Sequence, residues 1–126
     1  MDRTINIDGK DVKFRATART PRLYRGIMGR DMIVDMNKLS KAYKKVTEAH
    51  KNDTETEISD ARLSVTDLQL FEDVAYIMAR HADPTISESP DEWLDNFNMF
   101  SVYEVMPTIL ELWALNNKTT STPKKK

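Results

Sequence analysis

INIDGKDVKFRATA, residues 5–18, is the stretch that decides the fold, because its apolar residues recur every second position whereas those that follow recur every third or fourth. Ile5 and Ile7 alternate with polar neighbours, Asp8-Gly9-Lys10-Asp11 supplies turn chemistry, and Val12, Phe14 and Ala16 alternate again. The pattern predicts a β-hairpin at about residues 3–17. With Gly9-Lys10 as a two-residue type II′ loop, Ile7 would face Val12 and Ile5 would face Phe14, putting all four on one side. A lone hairpin is marginal in water, so this face needs a cover, and helices are the available material.

Downstream, start and stop signals divide the chain into helices. Thr20-Pro21 offers a cap and a proline at the first helical position, and Gly29 a stop, predicting a helix over 21–28. Asp31 can cap a second over 31–49, where Met32, Met36, Leu39, Tyr43 and Val46 form a heptad seam. Two heptads are too few for a coiled coil, so packing within the domain is expected, with Lys38, Lys41, Lys44 and Lys45 on a solvated face. HKNDTETEISD, residues 50–60, has no period and predicts an exposed loop. Ser64 and Asp67 resemble a capping box opening a helix over 64–81, whose apolar residues wrap widely enough for a central core element.

Ser89-Pro90-Asp91-Glu92 predicts a short helix over 90–97 with Trp93, Leu94 and Phe97 on one side. Ser101 and Glu104 repeat the capping pattern for a last helix over 101–116, with a kink or break near Met106 expected from Pro107. Asn116-Asn117 should end it and Lys118 to Lys126 should form a disordered basic tail. The expected fold class is α+β: one mostly helical domain over residues 1–117, an N-terminal hairpin packed on about four to five helices.

Composition narrows the function. A chain of 126 residues suits one domain, and its lack of cysteine removes disulfide frameworks, thiolate metal sites and thiol nucleophiles. No stretch approaches the roughly 18–20 apolar residues of a membrane span, and no signal-peptide pattern opens the chain, so a cytosolic protein is expected. The net charge of −1 hides an asymmetry: residues 1–45 hold 12 Lys and Arg against 5 Asp and Glu, residues 46–104 hold 3 against 14, and residues 105–126 hold 4 against 1. Such blocks predict mutual attraction inside the domain. Arg15, Arg19, Arg22, Arg25 and Arg30 have only Tyr24 among them to stack a base, so nucleic acid is not an expected partner.

Catalytic, cofactor and metal sites are not expected. His50 and His81 have no partner spacing for a metal, and His81 at a helix end suits the dipole. Glu55, Glu57, Glu72 and Asp73 sit in polar sequence and are expected to be solvated, and the three glycines form no phosphate loop. Trp93, Phe100 and Trp113 at helical spacing are expected in the core.

The order of parts carries a resemblance. The hairpin, then TPRLYRGIMGRDMIVDMNKL (residues 20–39), an acidic loop, a helix, and WLDNFNMFSVYEVMPTILELWALNNKTTSTPKKK (residues 93–126) together resemble the tail assembly chaperones of long-tailed phages and prophages of Gram-positive bacteria. Its most specific pieces are Thr20 to Arg25, Gly29-Arg30-Asp31, Met99 to Val105 and Leu112-Trp113. The resemblance implies a non-enzymatic protein of the bacterial host cytoplasm, absent from the mature virion, that keeps the tape measure protein soluble while tail tube protein assembles around it. It also implies a frameshifted long form as a possible partner, and an A-rich run encoding Pro123 to Lys126 would suit such a slip. Two other functions fit the sequence: a small nucleic-acid-binding regulator using the basic N-terminal third, and a structural tail protein retained in the virion.

A tape measure protein should be long and helical with apolar stripes, so its chaperone must offer an apolar surface rimmed by charge. The last helix is the expected surface, packing Val102, Val105 and Ile109 inward and presenting Met106, Leu110 and Trp113, with Glu104 and Glu111 on the rim. Met32, Met36, Met99 and Met106 are the methionines whose adaptable side chains could serve a partner or fill the core.

Overall fold

The computed structural model describes residues 1–51, 63–86, 89–98 and 102–120. Its order is β1 (Asp2–Ile7), β2 (Lys10–Arg15), α1 (Thr20–Met28), α2 (Met32–Lys51), α3 (Val65–Ala82), α4 (Pro90–Leu94) and α5 (Val102–Thr120). The class is α+β as expected, a two-stranded antiparallel hairpin on a helical body.

The hairpin turns one residue earlier than predicted. Asp8 and Gly9 both take positive φ, 54° and 80°, which is the type I′ arrangement, and Ile7 pairs with Lys10, Ile5 with Val12 and Arg3 with Phe14. The correction follows from aspartate's tolerance of the left-handed region, helped here by the Gly9 N–H donating to Asn6 Oδ1 at 3.2 Å. A shift of two in the pairing keeps every side chain on its predicted face. Ile7 and Phe14 are buried and Ile5 and Val12 partly so. Lys10 joins that side at its edge, its ammonium 5.5 Å from the Phe97 ring centroid and donating to the Asn96 carbonyl.

Aromatic packing closes the hairpin onto α3. Trp93 meets Phe14 and Phe97 edge-on, with centroids 6.5 Å and 5.4 Å away, and Tyr76 at 5.9 Å. One short helix therefore fills the space between hairpin and core. Helix α4 stops at Leu94 instead of continuing to 97: its carbonyls are taken by the tight turn of Asn96 and Phe97, whose N–H groups donate to Trp93 and Leu94. The Ser89 cap is present, its Oγ accepting from Glu92 N–H at 3.1 Å.

Elsewhere the signals mostly hold. Asp31 caps α2 through the Ile33 N–H at 2.9 Å, and Ser64 with Asp67 forms a reciprocal capping box on α3. Met32, Met36, Leu39 and Val46 are buried, while the four seam-flanking lysines are exposed. Helix α2 extends to Lys51, taking His50 out of the predicted loop, and residues 52–62 lie outside the described residues. Thr20 is not a cap: Arg19 holds that position, and the buried Thr20 hydroxyl accepts the Thr17 N–H at 2.7 Å. Helix α5 passes through Pro107 without a break and continues to Thr120, past its predicted end at Asn116. Pro107 is exposed, so the Tyr103 carbonyl it deprives of a donor faces the same wet side. Residues 118–120 of the predicted disordered tail are thus helical, and the rest of that tail, residues 121–126, with Met99, Phe100 and Ser101, lies outside the described residues.

Candidate functional site

On α5 the predicted division of faces is partly redrawn. Val105, Met106, Ile109 and Leu112 are buried, Val102, Leu110 and Trp113 are partly buried against the core, and Tyr103, Glu104, Pro107, Glu111 and Ala114 are exposed. Met106 is fully buried and presents nothing to a partner, because positions 105, 106, 109 and 112 form one inward stripe of a continuous helix. Leu110 and Trp113 flank that stripe. Glu111 accepts from Arg3 Nε at 3.3 Å across an exposed gap to β1, and Glu104 stands on the outer face. Tyr103 Oη accepts the Leu63 N–H at 3.1 Å, tying the start of α5 to the entrance of α3. Met32 and Met36 also fill the core, so three of the four methionines singled out are packing residues.

A second constellation was missed by the sequence reading. Tyr24 Oη donates to Asp35 Oδ2 at 2.6 Å, and Arg30 donates from Nε to that same oxygen at 2.9 Å. Its other nitrogen, Nη2, reaches Tyr24 Oη at 2.9 Å and Asp73 Oδ2 at 2.6 Å. Asp35 and Asp73 are buried, so Asp73 is not the solvated carboxylate expected from its polar neighbourhood. The cluster latches α1, α2 and α3 together, and Gly29 at φ 73° ends α1 so that Arg30 can enter it. Burial, then the bond to Asp35, pushes the Tyr24 phenol up, and the Asp73 bond holds Arg30 charged. A signal existed: Asp35 lies on the buried side of α2 between Met32 and Met36, where an acid requires a partner.

The remaining arginines are divided. Arg15 pairs with Asp2 at 2.9 Å, holding the Asp2 carboxyl below its usual range, while Arg19, Arg22 and Arg25 are exposed. His81 Nε2 lies 2.8 Å from Thr17 Oγ1, and burial with the neighbouring charges of Arg15 and Arg19 pushes the imidazole down toward its neutral form. Among the described residues no group of three or more His, Asp or Glu could hold a metal ion, and no helix is long and apolar enough to cross a membrane.

Open surface is concentrated around α3. A cleft of about 250 Å³ lies between α1 and its C-terminal half, floored by Leu23, Ile27 and Ile77 with Arg19 and Arg80 on the walls. A second of about 390 Å³ separates β2 from the end of α3 beside Trp93. The widest, about 610 Å³, opens between the end of α1, the N-terminal half of α3 and α4. Met28, Leu68 and Leu94 line it partly buried, Val65 stands exposed at its edge, and its acidic residues are Glu72, Asp73 and Asp91. Burial first, then the charges of Asp73 and Asp91, push the Glu72 carboxyl up. Chemically these surfaces suit recognition of side chains by apolar contact and charge. Comparison of the chain with protein-family models, curated proteins and solved structures finds no match.

Proposed function

We propose that the protein is a phage tail assembly chaperone that binds the tape measure protein and assists assembly of the tail tube. Support comes first from the order of parts on which the resemblance rests. The hairpin, the helix carrying TPRLYR, the turn at Gly29-Arg30-Asp31, the core helix and the last helix follow one another in the fold as in the sequence. These motif residues serve architecture: Tyr24 and Arg30 belong to the latch, and Asp31 caps α2. A second support is the open apolar and charged surface around α3, of the kind that receives an amphipathic helix.

The test is co-expression with a tape measure protein from the same genome, with the long form added where a frameshifted frame exists. The expected outcome is a larger soluble fraction of tape measure protein and recovery of a complex. Absence of any gain from the wild-type proteins overturns the proposal. Presence of the chain in purified virions would favour a retained tail protein, and salt-sensitive DNA shifts would favour the regulator.

A further inference from the structure

The groove between α1, α3 and α4 has the properties of a receptor for a particular kind of helix. Val65 stands 82% exposed at the first turn of α3, although most of the apolar residues further along that helix are buried. Met28, Leu68 and Leu94 beneath it are only partly covered. Apolar surface of this kind, rimmed by charge, marks an interaction site. The walls are helices, so they offer side chains and no free strand edge, which selects a helical guest over an extended one.

Charge selects further. Among the described residues Arg30 is the cation lining the groove, and its guanidinium is committed to Asp35 and Asp73, which together outweigh it by one negative charge. Glu72 and Asp91 add two more, and no cation pairs with either among the described residues. We propose that this groove docks a basic amphipathic helix of the partner, its apolar anchors on Val65, Leu68 and Leu94 and its lysines or arginines against Glu72 and Asp91. The identity of that partner as the tape measure protein rests on the chaperone reading, whereas the chemistry of the guest follows from the groove. The Glu72 carboxyl, pushed up by burial first and then by the charges of Asp73 and Asp91, is consistent with this occupancy, since an incoming cation favours its charged form.

The experiment uses the full chain and a synthetic amphipathic peptide of about 18 residues, leucine on one face and lysine on its flanks, with a twin in which glutamate replaces lysine. Fluorescence anisotropy should detect binding of the lysine peptide, weakening as salt rises, and little binding of its twin. Glu72→Gln/Asp91→Asn should weaken binding about tenfold or more, and the α5 variant Glu104→Lys/Glu111→Lys should leave it unchanged. Asp91→Asn alone, on the exposed start of α4, serves where the double variant melts abnormally and should give part of the loss. No binding of the lysine peptide, equal binding of both peptides, or wild-type affinity in the folded groove variants would overturn the proposal. Those outcomes leave the solubility test standing. Conversely, groove-dependent peptide binding without any effect on tape measure solubility would preserve the groove's chemistry and remove the chaperone assignment.

Discussion

Glu72 and Asp73 are neighbours on α3, yet they belong to opposite regimes. Asp73 is the closed side of the contrast: it is buried at the groove's wall, where Arg30 reaches it at 2.6 Å and Tyr24 and Asp35 complete the cluster's hydrogen bonding. Glu72 is the open side, lining the same groove half-buried beside like charges. Of two adjacent acids, one fastens three helices and the other is left to face whatever enters the groove. The same residue type thus stabilises in one place and selects in the other, and the difference is whether a cation is built in.

Removing the built-in cation should give the largest effect. Arg30→Ala leaves Asp35 and Asp73 buried without a positive partner and should cost about 3–5 kcal/mol. Phe14→Ala attacks the closed side through packing, deleting the ring against Trp93, and should cost a similar 3–5 kcal/mol or so. Urea unfolding measures both. A midpoint unchanged in Phe14→Ala would show that the hairpin does not contribute to the core, and one unchanged in Arg30→Ala would deny the latch. Asp73→Ala should be milder, about 1–3 kcal/mol, because Arg30 is 39% exposed and keeps Asp35.

How much of this was legible in the sequence depends on whether the signal was local. Caps at Asp31, Ser64 and Ser89 were readable because the interaction closes within three residues. Burial of the hairpin face was readable because period two survives even the shift in the turn. The turn itself was misread although its signal is local: Asp8-Gly9 is a preferred type I′ dipeptide and outranks a Gly9-Lys10 type II′ loop. Met106 was misassigned because its face was split from that of Val105 and Ile109 at Pro107, whereas the proline lies on the wet side, the helix runs on, and all three share the buried stripe. Asp35 on the buried side of α2 signals that a partner is needed, but which one it is and where the groove lies are not local: Arg30 and Asp73 are 43 positions apart, and only the tertiary fold brings them together. The attraction expected between the basic and acidic blocks is seen in the Arg30–Asp73 pair.

On α5 the expected effect is small. Glu104→Lys/Glu111→Lys breaks one exposed pair, Arg3 with Glu111, and should change stability by about 0–1 kcal/mol. The folded variant therefore isolates function, and undiminished tape measure solubility would show that the outer face of α5 is not the contact surface. A loss would shift weight from the groove to Leu110 and Trp113.

The finest test concerns Glu72 itself. Its carboxyl titrates above the ordinary glutamate range in the folded state, so between the two values the native protein holds more protons than the unfolded chain. Stability contributed by this group therefore falls as pH rises through that window, and the deficit persists to neutral pH. Replacing the acid by its neutral isostere removes the deficit, so Glu72→Gln should be stabler than wild type near pH 7, by no more than about 1 kcal/mol given solvent screening at a half-exposed site. At pH about 3.5, where Glu72 is protonated in both states, the advantage should vanish. Paired urea midpoints at the two pH values check the sign. An advantage that is absent near neutrality, or equal at both values, would mean that neither burial nor the charges of Asp73 and Asp91 penalise the Glu72 carboxylate, and the contrast with Asp73 would fail. If the advantage appears and the variant also binds the cationic peptide less tightly, one residue is being kept at a cost to stability for the sake of binding, which a purely structural glutamate would not do.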